Sequence, residues 1–183
     1  MHRYDAAMAE LPPHPAAEEP GALRADCRIS RGRGSGPGGQ HRNKVETAVV
    51  LTHLPTGVQA RATERRSQAE NLKVALGRLR MNLAIEFRRS LPEGIDLAAA
   101  LPSELWRSRL RGGRISVSTR HRDFPALLAE ALDVLAAMEW DPRRAAAVLG
   151  CTATQLVRLL KQEPRALALL NEKRAALGLR PMK

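Results

Sequence analysis

The residues best suited to chemistry lie in a glycine-rich segment, residues 33–44, which reads Arg-Gly-Ser-Gly-Pro-Gly-Gly-Gln-His-Arg-Asn-Lys. Its glycine content predicts neither helix nor strand. Some glycine-rich loops cradle phosphates, but this one lacks the Gly-Lys-Ser/Thr end of a P-loop, and no helix-forming run follows it directly. Two interpretations stay open: a flexible linker, or a finger anchored on phosphate by the flanking cations Arg31, Arg33, Arg42 and Lys44.

The rest of the chain offers no self-contained hydrolytic site, because it has no Ser-His-Asp set, Cys-His pair or metal-ligand cluster in its sequence pattern. Cys27 and Cys151 lie far apart without a partner pattern, which favours small buried apolar residues over a disulfide. His41 is not expected to act as a general base, and His53 is expected to be structural. We therefore expect no metal and no cofactor.

Charge favours a polyanionic partner. The 183 residues carry a net charge of +11, and residues 26–90 hold most of it, with 13 basic and five acidic side chains. Such a field attracts phosphate backbones. No basic amphipathic segment with bulky aromatics is present to enter a membrane surface, and no apolar run is long enough to span one. With only five aromatic residues, binding to nucleic acid is predicted to rest on phosphate contact and shape rather than base stacking.

The pattern of apolar residues predicts the elements that position this loop. Residues 1–22 are proline-rich at Leu11–Pro15 and are predicted to be a disordered leader, with no signal or transit peptide, which favours the cytoplasm. A strand over Asp26–Arg31 precedes the loop, and a hairpin follows it, with strands over Thr47–Leu54 and Val58–Thr63 joined at Pro55 and Gly57.

Helices are predicted beyond the hairpin. Apolar residues at helical spacing predict one long amphipathic helix from Ser67 to about Arg89, and a helical turn is expected within the connection from Leu91 to Gly113. A short strand over Arg114–Thr119 and a helix over Pro125–Glu139 follow. The stripe that defines the long helix consists of Leu72, Leu76, Leu79, Leu83 and Phe87.

The C-terminal segment is predicted to be entirely helical. Asp141-Pro142 caps one helix that Gly150 ends, Thr152 with Gln155 forms a capping box for the next, and Pro164 opens a last helix that ends at Gly178. The spacing is typical of a helix-turn-helix, and equally of a plain three-helix bundle. DNA binding by this unit would require Gln155 and Arg158 to be exposed.

Together these elements predict an α+β fold: a small mixed β-sheet packed on a long amphipathic helix with a protruding loop, plus a C-terminal three-helix, helix-turn-helix-like extension. The domains expected are a leader over 1–22, a catalytic domain over 23–140 and a helical extension over 141–183.

The segment from about Leu23 to Asn71 resembles the catalytic domain of class I peptide chain release factors and their stand-alone ribosome-rescue relatives. Several blocks carry the resemblance in the right order, which is far more specific than a single Gly-Gly-Gln: Ser35-Gly36-Pro37-Gly38-Gly39-Gln40-His41, Asn43-Lys44, Thr52-His53-Leu54-Pro55-Thr56-Gly57 and Arg65-Arg66-Ser67-Gln68. The resemblance implies hydrolysis of the ester that joins a nascent peptide to transfer RNA, inside the ribosomal peptidyl transferase centre.

By this resemblance the catalytic residues are Gly38, Gly39 and Gln40, and the backbone amide of Gln40 is the donor near the terminal adenosine of the transfer RNA. Ester hydrolysis passes through a tetrahedral intermediate with developing negative charge, which a preorganised N–H stabilises. The two glycines lack Cβ atoms and allow positive φ, so a main-chain amide can enter a crowded RNA cleft. The Gln40 side chain is expected to favour water as the nucleophile. It is a possible substrate for a glutamine methyltransferase.

Further residues of these blocks are expected to contact ribosomal or transfer RNA, and ribosomal RNA is expected to complete the chemistry. Arg33, Lys44, Arg65 and Arg66 are assigned to phosphate contact or loop bracing, with ordinary solvated charges as the alternative. The other expected RNA-binding residues are Ser35, His41, Arg42 and Asn43.

The chain also departs from the family pattern. The 22-residue leader is far shorter than a codon-reading domain, so stop-codon recognition is not expected, and the dense basic tail of the rescue enzymes is missing after Gly178. We expect a monomeric, codon-independent peptidyl-tRNA hydrolase that acts on stalled ribosomes. The alternatives are a non-catalytic ribosome- or RNA-binding factor that uses the C-terminal helices, and a DNA-binding protein.

Overall fold

The structure is a computed structural model that describes residues 12–32, 47–89 and 101–183. It divides into two compact units. Pro15–Phe87 forms the first, here called the sheet unit, and Arg88–Lys183 together with the residues up to His14 forms the second, here called the helical unit. The α+β class predicted from the sequence is confirmed.

The described residues of the sheet unit form three strands: β1 at Cys27–Gly32, β2 at Ala48–His53 and β3 at Gln59–Ala62. Their order is β1-β2-β3 and both pairings are antiparallel, so this sheet is antiparallel rather than mixed. The β2–β3 hairpin is closed as predicted at Leu54–Gly57, where Gly57 has a φ of 73° and its N–H donates to His53 O at 2.8 Å. Positive φ favours glycine at this turn.

A short N-terminal helix, α1, covers Pro20–Ala25, and a single 3-10 turn lies before it at Pro15–Ala17. The prediction of a disordered leader is therefore wrong for residues 12–22, and residues 1–11 lie outside the described part. The physical reason is apolar burial: Ala16 and Leu23 are fully buried, and Arg80 Nε donates to Ala16 O at 3.0 Å.

Helix α2, Gln68–Glu86, covers one face of the sheet. Ser67 caps it by accepting a hydrogen bond from the Glu70 N–H. The buried face is rotated relative to the predicted stripe: Leu79 and Leu83 are buried as expected, whereas Leu72, Leu76 and Phe87 are half-buried. The other buried positions are small or polar, namely Asn71, Ala75 and Ala84.

Side chains from α2 also reach the backbone of β3, which is an edge strand of this sheet. Arg78 Nη1 donates to Arg61 O at 2.7 Å, and Asn82 Nδ2 donates to Gln59 O at 2.7 Å. Helix and sheet are therefore joined by hydrogen bonds at this edge as well as by their apolar contact.

From residue 101 onward, the described part of the helical unit starts with a short helix and a hairpin of two-residue strands. Helix α3 covers Glu104–Arg109, and strands β4, Leu110–Arg111, and β5, Arg114–Ile115, pair across Gly112 and Gly113. The strand predicted over Arg114–Thr119 is thus shorter than expected and belongs to this separate hairpin. Four helices follow: α4 at Phe124–Ala137, α5 at Pro142–Val148, α6 at Ala153–Lys161 and α7 at Pro164–Ala176.

The domain boundary expected at residue 140 falls inside the helical unit. Helix α4 packs against α5 and α6, and every side chain from Phe124 to Leu135 is buried. Trp106 of α3 is fully buried as well, and its indole Nε1–H donates to Leu149 O at 2.9 Å. The segments on both sides of residue 140 therefore share one apolar core.

Two buried carboxylates on α4 bind the segments that lead into this unit. Asp133 accepts from Arg89 Nε at 2.6 Å and forms an ion pair with Arg88 at 3.2 Å. Glu130 accepts from the Ser103 N–H at 2.7 Å and from the Ser103 hydroxyl. Burial raises the pKa of Glu130, while the Ser103 hydrogen bonds act in the opposite direction.

No helix in the described ranges is long and apolar enough to cross a membrane.

The raised pKa of Glu130 predicts a pH-dependent stability that Glu130→Gln removes. A buried carboxyl whose pKa is raised in the folded state contributes stability below its unfolded value of 4.5, and that contribution is lost as pH rises through the folded pKa. We expect Glu130→Gln to gain stability relative to the unsubstituted protein as pH increases above about 4.5. Both tryptophans, Trp106 and Trp140, lie in the helical unit, so denaturant unfolding followed by tryptophan fluorescence reports on this unit.

Glu104→Gln is the matched control, because Glu104 is an exposed glutamate of the same unit. It should show no comparable trend with pH. Identical pH profiles for Glu130→Gln and the unsubstituted protein would contradict the prediction.

Candidate functional site

The structure describes the supports of the predicted site but not the glycine-rich loop itself. Residues 33–46 lie outside the described ranges, and nine of the predicted site residues fall there: Arg33, Ser35, Gly38, Gly39, Gln40, His41, Arg42, Asn43 and Lys44. Their assigned roles stay predictions. The described site residues are Arg65 and Arg66.

The strands on either side of this loop are paired to their ends. In the β1–β2 register Gly32 lies opposite Ala48, and Cys27 lies opposite His53. The chain therefore leaves the sheet at Gly32 and returns to it beside the same point. An antiparallel pair of this kind fixes both ends of its connection.

The platform below these strand ends is well packed. Val49 and Leu51 of β2 and Ala60 of β3 point to the same side of the sheet and are buried. Ala75 and Leu79 of α2 are fully buried in the same unit, which α2 shares with β2 and β3. Close-packed cores of this kind resist displacement of their elements, so the loop ends are held on a rigid base.

One buried side chain, Asn71, was not predicted from the sequence as part of the site. It joins Thr47, where the chain returns from the glycine-rich loop, to Arg65 in the segment before α2. The Asn71 amide nitrogen Nδ2 donates to Thr47 O at 2.6 Å and to Arg65 O at 2.9 Å. Its oxygen Oδ1 accepts from the Arg65 N–H at 2.9 Å. Thr47 is the residue just before β2. Asn71 thus uses both amide protons and its oxygen to hold two segments on the first turn of α2.

Arg65 and Arg66 are both exposed, in the segment between β3 and Ser67. The Asn71 hydrogen bonds fix the Arg65 backbone, and neither guanidinium forms an ion pair with a described residue. A fixed backbone with solvated cationic heads suits contact with an external anion. The two residues stay candidates for RNA contact.

An ion pair lies next to this segment. Arg78 of α2 binds the Glu64 carboxylate, and this contact, with the backbone N–H of Thr63, lowers the pKa of Glu64 to about 2. The same guanidinium donates to Arg61 O. Glu64 is therefore ionised and paired with Arg78, which leaves the adjacent Arg65 and Arg66 without this carboxylate as a partner.

The sheet face opposite α2 is polar and positively charged. Side chains on alternate positions of the three strands share this face by their register, and Arg28 and Arg61 lie at diagonal corners of it. None of the strand residues is acidic. The face is formed by Arg28 and Ser30 of β1, Val50 and Thr52 of β2, and Gln59 and Arg61 of β3. This surface is suited to a phosphate backbone.

His53 has the structural role expected for it. The ring is buried, and its Nδ1 shares a hydrogen bond of 2.8 Å with Thr56 Oγ1 inside the hairpin turn. Thr56 Oγ1 in turn accepts from the Val58 N–H at 3.3 Å. The histidine therefore braces the turn.

The cysteines are both free and half-buried. Cys27 donates its thiol proton to Leu23 O at 3.1 Å. Burial raises the pKa of the Cys27 thiol and raises that of Cys151 to about 11, which lowers the fraction of reactive thiolate at neutral pH. Within the described ranges no cluster of three metal-ligating side chains occurs.

Known proteins resemble this chain over the segment that contains the three strands, the glycine-rich loop and α2. Residues 22–96 match the RF-1 domain. The peptide chain release factors 2 of Clostridium perfringens strains ATCC 13124 and SM101 are each 41% identical to this chain over 87 residues, which is 47% of the chain. The aligned segment spans only 24% of each relative.

Residues 22–96 thus match the RF-1 domain, the domain of the class I release factor family, and the resemblance found in the sequence is confirmed for this segment. The matched range includes the Gly38-Gly39-Gln40 triplet, the strands that carry it and the Arg65–Arg66 segment. The match ends before α3 and does not extend to the rest of the helical unit.

Removing the Asn71 amide should destabilise the sheet unit. Asn71→Ala leaves Thr47 O and the Arg65 backbone groups without their partner, and we expect a loss of about 3 kcal/mol in the free energy of local unfolding. Hydrogen exchange of the β2 and β3 amides measures this loss, since both tryptophans lie in the other unit.

Asn71→Asp tests whether the amide protons matter more than shape. Aspartate has nearly the same volume but offers only acceptors to Thr47 O and Arg65 O, so at neutral pH it should destabilise at least as much as alanine and improve as pH falls. An aspartate variant with the exchange rates of the unsubstituted protein would show that the hydrogen bonds to Asn71 contribute nothing.

Proposed function

We propose that this protein hydrolyses the ester bond between a nascent peptide and transfer RNA in the peptidyl transferase centre of the ribosome. The observation that carries the proposal is the RF-1 match over residues 22–96, which includes the Gly-Gly-Gln triplet. The relatives' names, peptide chain release factor 2, support the same activity. The chain aligns with only 24% of each relative.

The chemistry proposed at the triplet is addition of water to the ester carbonyl carbon. The tetrahedral oxyanion forms, the bond from carbon to the ribose oxygen breaks, and the products are the peptide acid and the free hydroxyl of transfer RNA. The Gln40 backbone N–H donates a hydrogen bond to this oxyanion. One preorganised donor of this kind raises the reaction rate by a factor of about 10²–10³. Gly38 and Gly39 provide the steric clearance.

The sheet unit supports this role through position and charge. The loop that contains the triplet connects two strands whose ends, Gly32 and Ala48, are paired on a packed platform. Arg65 and Arg66 are exposed next to the end of that connection, and Asn71 holds the backbone of Arg65. The positively charged open face of the sheet provides further attraction for RNA phosphates.

We also propose that release is independent of a stop codon and acts on stalled ribosomes, in the cytoplasm, with the protein as a monomer. The proposed partners are large-subunit ribosomal RNA and the peptidyl-tRNA of the P site. A glutamine methyltransferase acting on Gln40 is a further proposed partner. These points rest on the resemblance to the rescue relatives and on the cationic surfaces described above.

A second candidate is a ribosome- or RNA-binding factor without catalytic activity. The observation in its favour is that the helical unit, most of which the RF-1 match does not cover, presents cations of its own. The two candidates differ in peptide release, which only the first predicts.

Gly39→Ala should lower the rate of peptide release by about 100-fold or more, because a methyl group at this position blocks the approach of the Gln40 amide. Ribosome binding should be retained. The measurement is single-turnover release of labelled peptide from purified ribosomal complexes. Gly77→Ala is the matched control: Gly77 lies in α2 with open space around its Cβ position, so this variant should release peptide at the original rate.

Three ribosomal complexes test whether release depends on a stop codon. They contain a truncated messenger, an intact messenger without a stop codon, or a stop codon in the decoding site. Codon-independent rescue predicts release without any need for the stop codon. Equal release by Gly39→Ala and by Gly77→Ala would refute the proposed mechanism, and release confined to the stop-codon complex would refute codon independence.

A further inference from the structure

The helical unit contains a helix-turn-helix arrangement that lies entirely outside the RF-1 match. Helices α4, α5 and α6 pack on one another, and Ala145 of α5 and Leu156 of α6 are fully buried. Gly150 in the turn has a φ of 66°, where a side chain would be strained, and Thr152 caps α6 by accepting from the Gln155 N–H at 3.2 Å. The turn is thus rigid and sets the direction of α6.

All the charged side chains of α5 and α6 are basic. The segment Pro142–Gln162 contains four basic residues and no acidic residue. Arg158 and Lys161 are exposed three residues apart on α6, so they lie on the same side of that helix, and Arg143 is exposed in the first turn of α5. We call Arg143, Arg158 and Lys161 the outer cations.

The neighbouring carboxylates do not neutralise the outer cations. Glu139 pairs with Arg144 at 2.7 Å, and Glu163 pairs with Arg165 at 2.9 Å. The Asp141 carboxylate accepts from the Arg143 backbone N–H at 2.7 Å as the cap of α5. Among the described residues, none of the three outer cations forms an ion pair.

We propose that the outer cations form a second RNA-binding surface, which contacts the phosphate backbone of structured RNA without reading its sequence. This rests on the proposed function, since the RF-1 domain would bring the helical unit to the ribosome. The positions of the cations favour RNA over sequence-specific DNA: Gln155, at the start of α6 where a helix-turn-helix reads bases, is half-buried, and Ala153 is too small to reach a base.

The number of cations supports the same assignment. Three phosphate contacts give weak binding on their own, whereas specific DNA-binding proteins with strong salt dependence make about 6–10. A weak surface becomes effective when a second site in the same chain binds the same target, because the covalent link raises its local concentration to about the millimolar range. The RF-1 domain is that second site.

The test compares two triple variants of the full chain. Arg143→Gln, Arg158→Gln and Lys161→Gln together remove the outer cations. Arg107→Gln, Arg120→Gln and Lys183→Gln together remove the same charge from exposed cations of the same unit outside α5 and α6. Circular dichroism and tryptophan fluorescence establish that both variants are folded.

Binding is measured to vacant bacterial ribosomes and to an RNA duplex and a DNA duplex of about 20 base pairs, as a function of salt concentration. Loss of the outer cations should lower the slope of log K against log salt by about 2–3 for ribosomes and for the RNA duplex, and weaken ribosome binding about tenfold. The control triple should retain the original slope.

Equal slopes for the two triple variants would overturn the proposal, as would a DNA duplex bound more tightly than the RNA duplex through the outer cations. Failure of the proposed function gives a different result. If the protein releases no peptide but the outer-cation triple loses RNA affinity, the hydrolase proposal fails and the RNA-binding surface stands.

Discussion

The three hydrogen bonds of the Asn71 amide are the interaction on which the arrangement of the sheet unit depends most. They cross from the first turn of α2 to Thr47, before β2, and to Arg65, after β3. A side chain with both donors and an acceptor is required, because the groups that it binds are two carbonyls and one N–H. The buried position of this polar residue is therefore explained by the segments it joins.

Much of the sheet unit follows from the sequence because its signals are local. The hairpin turn at Pro55 and Gly57 depends on backbone preferences, and the start of α2 depends on the cap at Ser67. The Asn71 contacts could not be predicted in the same way, since Thr47 lies 24 residues away in the chain. The sequence offers one signal: Asn71 is a polar residue on the face of α2 that also contains Ala75 and Leu79, which is the buried face.

The errors have a common cause in tertiary packing. Residues 12–22 read as polar and proline-rich, but Ala16 needs only one complementary surface to become fully buried. The buried face of α2 differs from its stripe of large apolar residues because it includes Ala75 and Ala84, whose small side chains allow close approach of helix and sheet. Within the described range 101–183, no domain boundary falls near residue 140 because buried Trp106 connects α3 to the end of α5. Chain-local patterns carry no information about such partners.

The hydrogen bonds from Arg78 and Asn82 to the outer carbonyls of β3 have a consequence for self-association. An edge strand with unpaired backbone groups is a template for a strand from another molecule. Here Arg61 O and Gln59 O already accept side-chain donors from α2. An incoming strand would have to displace both, so sheet extension between molecules is disfavoured along this edge.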